Sequence, residues 1–349
     1  MSKKEFYKII PQMKDYDQLG INWLPYIMFT QSNNFRSESV NTDNFGFRFN
    51  NKLLMKKNVI NEENMNVEKN IICGGSFAFG TGSTKDDKTI SSLMSDQGSL
   101  TLNLSGSAFV SFQDIITIIS NINNLKSVKK IIIFTGINDL YLNKNFGNIY
   151  PDAMFFSSFF SEAMDNKLLS KQKKFFKSIV NFFNPNFINS ETIKKLHKGN
   201  ILNFIFSKKF RENLSTKAQF TESFFEDKIK RNFKIYKMIS KFLNVEIEIY
   251  LSPYIFWSKD LSSEEKNLVE LTKKFYSKEI KKIYSLLNNE SYQYLVEILT
   301  KYSQINGFNF IDINKYFKDN FSSKNWLFVD SVYCTDLGYK EVSNMILNK

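Results

Sequence analysis

Five short apolar, β-branched runs, spaced by helix-length amphipathic stretches, constrain the fold of this chain more than any other feature. The runs fall at 70–73, 100–104, 130–135, 245–251 and 308–313. Each is too short for a helix and apolar enough to be buried on both faces. Between them, residues 87–94, 109–122, 224–242, 263–286 and 337–347 carry apolar side chains at helical spacing. Strand alternating with helix predicts an α/β domain whose parallel sheet is covered on both sides. Such sheets bind ligands beyond the carboxyl ends of their strands, so the residues just after each run carry the functional signal.

Two segments break the rhythm. Residues 1–67 are polar and irregular, with a turn-rich stretch from Asn41 to Gly46, and read as a lead-in packed on the core. Residues 143–221 read as a helical insertion, a cap that splits the core into a first half at 68–142 and a second at 222–349. In it Phe155, Phe159, Phe175 and Phe182 interleave with lysines. As a cap, it packs its aromatics inward and turns its lysines to water. The same spacing also suits peripheral contact with an anionic membrane surface or a protein partner through residues 167–211.

The formal net charge of +12 is concentrated rather than spread: Lys167 to Arg211 holds eleven Lys or Arg against one acid, Glu191. The whole chain has only four arginines, Arg36, Arg48, Arg211 and Arg231, whereas base readout and bidentate phosphate recognition favour Arg. No nucleic-acid partner is expected. No apolar run approaches the ~18 residues of a membrane helix, and the first twenty residues lack the apolar stretch of a signal peptide. A soluble, cytoplasmic protein is the expectation. Cys73 and Cys334 show no CxxC spacing and share the chain with a single histidine, His197, so neither a disulfide framework, a metal site nor a cofactor is expected.

After the first run comes Cys73-Gly74-Gly75-Ser76-Phe77-Ala78-Phe79-Gly80-Thr81-Gly82, a serine on a glycine-rich strand-to-helix turn. It fails as a phosphate cradle, because Thr81 stands where a Lys is needed, and it lacks the third glycine of a dinucleotide fingerprint. As a nucleophile turn it is sound, since neighbouring glycines permit a sharp bend that lifts a hydroxyl above the sheet. An ordinary strand-to-helix loop is the plain alternative. The next two runs end in Asn103-Leu104-Ser105-Gly106-Ser107-Ala108 and in Gly136-Ile137-Asn138-Asp139, which points all three turns at one site.

With these blocks in order, the chain resembles the SGNH (GDSL-type) hydrolase superfamily over about 68–140 and 222–349. The resemblance implies a three-layer α/β/α, flavodoxin-like fold. Ser76 matches the nucleophile block and Asn138 the asparagine block, whose side-chain amide faces an oxyanion. In the glycine block Ser105 and Ala108 stand where glycines are expected, with Gly106 one step out of register. A backbone N–H at Ala108 or Gly106 still suffices as an oxyanion donor. The last block reads Asp330-Ser331-Val332-Tyr333-Cys334-Thr335, with Tyr333 in the place of the family's histidine.

That exchange matters, because a phenol titrating near pH ~10 is a poor base at pH 7, where imidazole at ~6.5 serves well. Four readings stay open. The chain is a pseudoenzyme that keeps the pocket for binding or scaffolding; or Asp330, Tyr333 or the substrate assists Ser76; or His197 reaches in from the insertion; or Cys334 or Cys73 is the nucleophile. If active, the chain would hydrolyse or transfer an acyl group. The relatives' chemistry implies a small-molecule or glycan ester, in particular an acyl ester of a carbohydrate or polysaccharide.

Overall fold

The computed structural model describes residues 3–53, 58–148, 219–275 and 277–348. The expected insertion at 143–221, with its basic Phe-rich stretch and His197, therefore lies outside the described residues except at its edges.

A two-stranded hairpin, β1 (Ile21–Leu24) and β2 (Met28–Gln31), precedes the sheet formed by β3 (Lys69–Gly74), β4 (Thr101–Asn103), β5 (Val128–Thr135), β6 (Glu246–Leu251) and β7 (Asn309–Asp312). The five strands are all parallel and lie in the order β4-β3-β5-β6-β7, the flavodoxin-like order. The chain reverses direction across the sheet between β3 and β5, and the crevice at that switch point is where such folds hold ligands.

Alternation along the strands sorts the core into two layers. Ile71, Cys73, Ile131, Ile133, Ile247 and Ile249 face one way and pack on helices Ser111–Ser120, Glu222–Leu243 and Asn289–Asn306. Ile72, Ile132, Phe134 and Tyr250 face the other way, onto helices Ile90–Asp96, Ile313–Asn320 and Asp336–Leu347. The product is a three-layer α/β/α domain. Burying both strand faces is what the continuous apolar runs require, since a half-exposed strand would alternate with polar residues. Each of the five anticipated strands forms, within two residues at either end. The helix Asn289–Asn306 is unanticipated, although its buried Leu295, Ile298, Leu299 and Tyr302 follow helical spacing. Among the described residues no helix is long and apolar enough to cross a membrane.

The chain before β3 buttresses the ligand end of the sheet. Gln31, at the end of β2, accepts the Ser107 N–H through Oε1 at 3.0 Å, and Phe29 stacks edge-on against Phe109. Arg48 is fully buried and spends its guanidinium on Asp86 Oδ1 (2.7 Å), the carbonyls of Phe79, Gly80 and Ser39, and Ser83 Oγ. The fork geometry of Arg makes this possible; Lys could not reach so many acceptors at once.

Candidate active site

Ser76 opens a one-turn helix, Ser76–Phe79, directly after β3. The turn is tight because of Gly75: a Cβ there would lie 2.4 Å from Asn138 Nδ2. Glycine is thus what brings the Asn138 amide against the nucleophile turn. Arg48 grips the far end of the turn through Phe79 and Gly80. Asn103, the last residue of β4, donates to the Ala78 carbonyl at 2.9 Å while its Oδ1 accepts the Ser105 N–H. Ser76 is itself 9% exposed. Among the described residues its hydroxyl and its N–H make no hydrogen bond.

Asn138 sits at the start of helix Ile137–Phe146 after β5, and its Nδ2 donates to the Phe109 carbonyl at 2.9 Å. One amide hydrogen remains for a ligand. Ala108 has φ of 63°, the left-handed region where a glycine costs nothing and an alanine about 1 kcal/mol. The backbone at 108 thus adopts a conformation that favours glycine, with alanine in place. Among the described residues the Ala108 N–H makes no backbone hydrogen bond, whereas the Gly106 N–H donates to the Gly74 carbonyl at 3.1 Å. Of the two expected backbone donors, Gly106 is spent on holding its loop to β3, and only Ala108 is free to meet an oxyanion.

Ser76 and Asn138 line one open cleft, together with Phe109, Thr135, Ser252, Pro253 and Val332 among others, with about 390 Å³ of empty space. Neither Asp330 nor Tyr333 is among its lining residues. Asp330 Oδ1 instead accepts the N–H groups of Val332 and Tyr333, both at 2.8 Å, a turn that aims Val332 at the cleft. Tyr333 is 7% exposed and packs with Ile10, Met13, Tyr16 and Phe79. The reading in which Asp330 or Tyr333 assists Ser76 is one of four, and here the lead-in helices supply the apolar surface that takes up the Tyr333 ring. Burial pushes the Asp330 carboxyl up to about 6, partly offset by its two backbone donors. Thr335 caps the final helix through the Gly338 N–H, as its sequence position suggests.

The cleft also contains residues that the motifs did not single out. Asp114 is 1% exposed and lines the cleft, yet its Oδ1 has no hydrogen-bond partner. Burial pushes its carboxyl well above the usual range, and the nearby Asp139 carboxylate adds to the rise. Asp139 is satisfied: Ser111 donates to it through N–H and Oγ, and Lys228 pairs with it at 2.9 Å with both side chains 2% exposed. Thr135 Oγ1, also buried in the cleft wall, has no partner either. A sequence signal for Asp114 existed in its place on the apolar stripe of the 109–122 helix, where a carboxylate is out of keeping.

Cys73 and Cys334 are fully buried, and burial pushes both thiols well above their ordinary value. A nucleophilic cysteine needs the reverse. Among the described residues no group of three or more His, Cys, Asp or Glu is placed to hold a metal ion.

The chain matches no protein-family model, and no curated protein matches it. Among solved structures it is similar to an extracellular lipase from Streptomyces rimosus at 12% identity, over 80% of this chain and 98% of that one, with a TM-score of 0.41. An acetyl xylan esterase is similar at 12% identity, 80% and 98% coverage and a TM-score of 0.37. A lipase/acylhydrolase from Enterococcus faecalis is similar at 10% identity, 80% and 94% coverage and a TM-score of 0.36. Likenesses this distant assign neither an activity nor a substrate to this chain.

Proposed function

We propose that this chain is an SGNH-hydrolase-like protein whose Ser76 cleft takes an acyl ester, of a carbohydrate or polysaccharide, and hydrolyses it or transfers its acyl group. The observation that carries the reading is the meeting of Ser76 and Asn138 in one cleft at the switch point of the sheet, with the N–H groups of Ser76 and Ala108 unused. In the reaction Ser76 Oγ attacks the ester carbonyl and gives up its proton. The carbonyl oxygen takes the negative charge, facing the N–H groups of Ser76 and Ala108 and the amide of Asn138. Collapse of the tetrahedral species expels the alcohol, which takes up a proton, and leaves an acyl-Ser76. Water or a second alcohol then removes the acyl group.

A second reading, a binding protein without turnover, draws on the packing of Tyr333 against the lead-in and on Val332 at the wall that faces Ser76. Losing the base of a triad leaves only about 10³ to 10⁴-fold acceleration over water. Fluorophosphonate labelling and p-nitrophenyl acetate hydrolysis separate the two. The enzyme reading expects Ser76 to label and slow turnover to vanish in Ser76→Ala. Absence of both leaves the binding reading. In that case Val332→His, which places an imidazole on the cleft wall, should gain Ser76-dependent turnover, while Tyr333→His should gain little.

A further inference from the structure

The cleft floor contains an arrangement that ester chemistry at Ser76 does not use. Cys73, Ile131 and Ile133 point to the same face of the sheet, so Thr135, two residues beyond Ile133, continues that face at the carboxyl end of β5. Asp114 lies over the same face, on helix Ser111–Ser120, within electrostatic reach of Cys73 and Gly74. Both residues line the Ser76–Asn138 cleft, and each ends in a buried oxygen without a partner, Asp114 Oδ1 and Thr135 Oγ1.

Two orphaned polar atoms in one wall are costly, at about 1–3 kcal/mol each, and native interiors rarely tolerate them without a reason. The neighbours show that this region can satisfy its polar groups, since Asp139 takes up Ser111 and Lys228, and Asn232 donates to Ser111 Oγ at 2.7 Å. What surrounds Asp114 favours its protonated form. Burial first, and then the Asp139 carboxylate from helix Ile137–Phe146, push its carboxyl upward, while Lys228 is engaged by Asp139. A neutral carboxyl is a hydrogen-bond donor, and a threonine hydroxyl both donates and accepts. A group that accepts from one and donates to the other is an alcohol.

Resting on the acyl-ester reading above, we propose that Asp114 and Thr135 form an acyl-side subsite that hydrogen-bonds a hydroxyl on the acyl group, so that the cleft selects short hydroxyacyl esters over alkyl esters. Asp114 donates to the hydroxyl oxygen, and the hydroxyl proton turns to Thr135 Oγ1. Neither residue touches the reacting atoms; both act on the choice of substrate.

The test compares p-nitrophenyl glycolate with p-nitrophenyl propionate, which differ by a hydroxyl for a methyl. Ligand-observed NMR with methyl glycolate and methyl propionate gives a readout that does not need turnover. Wild type should favour the glycolyl ester. Its glycolate-to-propionate ratio of kcat/KM, or of affinity, should fall about tenfold in Asp114→Leu and in Thr135→Val. Asp114→Asn, which still donates, should retain most of the preference. Thr135→Val preserves side-chain shape and serves if Asp114→Leu does not fold. A wild type that shows no preference, or a ratio unchanged in both Thr135→Val and Asp114→Leu, overturns the subsite and leaves the two oxygens to a buried water, while the acyl-ester reading stands. If wild type neither binds nor cleaves either ester, the acyl-ester reading falls and takes the subsite with it.

Discussion

Arg48 and Asp114 are both ionisable side chains buried at the ends of the same Ser76 turn, and their surroundings differ sharply. Arg48, at the Gly80 end, has a carboxylate, three carbonyls and a hydroxyl within hydrogen-bond reach, and its guanidinium lies over the rings of Tyr16 and Phe79. Asp114, at the Gly74 end, has an oxygen with no partner. A buried ion that is fully paired fixes geometry. A buried acid that is not leaves unsatisfied hydrogen-bonding capacity facing the cleft. The contrast separates a lead-in side where the buried ion is fully paired from a floor side where a buried oxygen is left without a partner. Asp330 is intermediate, with one oxygen occupied by two backbone donors in a turn that presents Val332.

The largest test of this contrast is Arg48→Ala. It leaves Asp86 buried without its cation and three carbonyls short of a donor, and should cost about 3–5 kcal/mol in urea unfolding. A loss below about 1 kcal/mol would mean that the lead-in does not hold the turn. Next comes pH. The folded-state pKa of Asp330 is raised from 3.8 to about 6, so folding favours its protonated form. The stability it contributes is complete below pH ~3.8 and is lost as pH rises through 6. Asp114, also raised by burial, adds a slope of the same sign. The urea midpoint should therefore fall between pH 4 and 7, and Asp330→Asn should flatten the part below pH 6. A midpoint that rises with pH would contradict both assignments. The smallest effect is Thr135→Val, which removes an unpartnered hydroxyl and should raise stability by about 1 kcal/mol. Should it lower stability instead, that hydroxyl has a structural partner, and the contrast between the two ends of the turn weakens.

Much of this architecture was legible in the chain. The strands are continuous apolar runs because each is covered on both faces, and the helices between them show their stripe, so the succession of elements and the parallel direction followed from pattern, while the flavodoxin-like order was implied by the family resemblance. The glycine-rich turn after β3 was legible as well, since glycines at 74 and 75 allow the bend and the approach of Asn138. The hairpin β1–β2 was not: Ile21–Leu24 and Met28–Gln31 are four residues each, too short for alternation to stand out. Asp114 escaped because a carboxylate within a helical stripe reads as an exposed interruption until burial is known.

The sequence by itself determined the succession of strands and helices and which polar side chains stand at the strand ends, because those depend on local pattern and turn geometry. Only the tertiary structure decided which side chains face the cleft. Tyr333, which the sequence offered as one candidate to assist Ser76, packs with Ile10, Met13 and Tyr16, while Val332 lines the cleft. The physical reason is that a side chain's direction is settled by the surface that packs against it, and here that surface is supplied by a segment more than three hundred residues away in sequence.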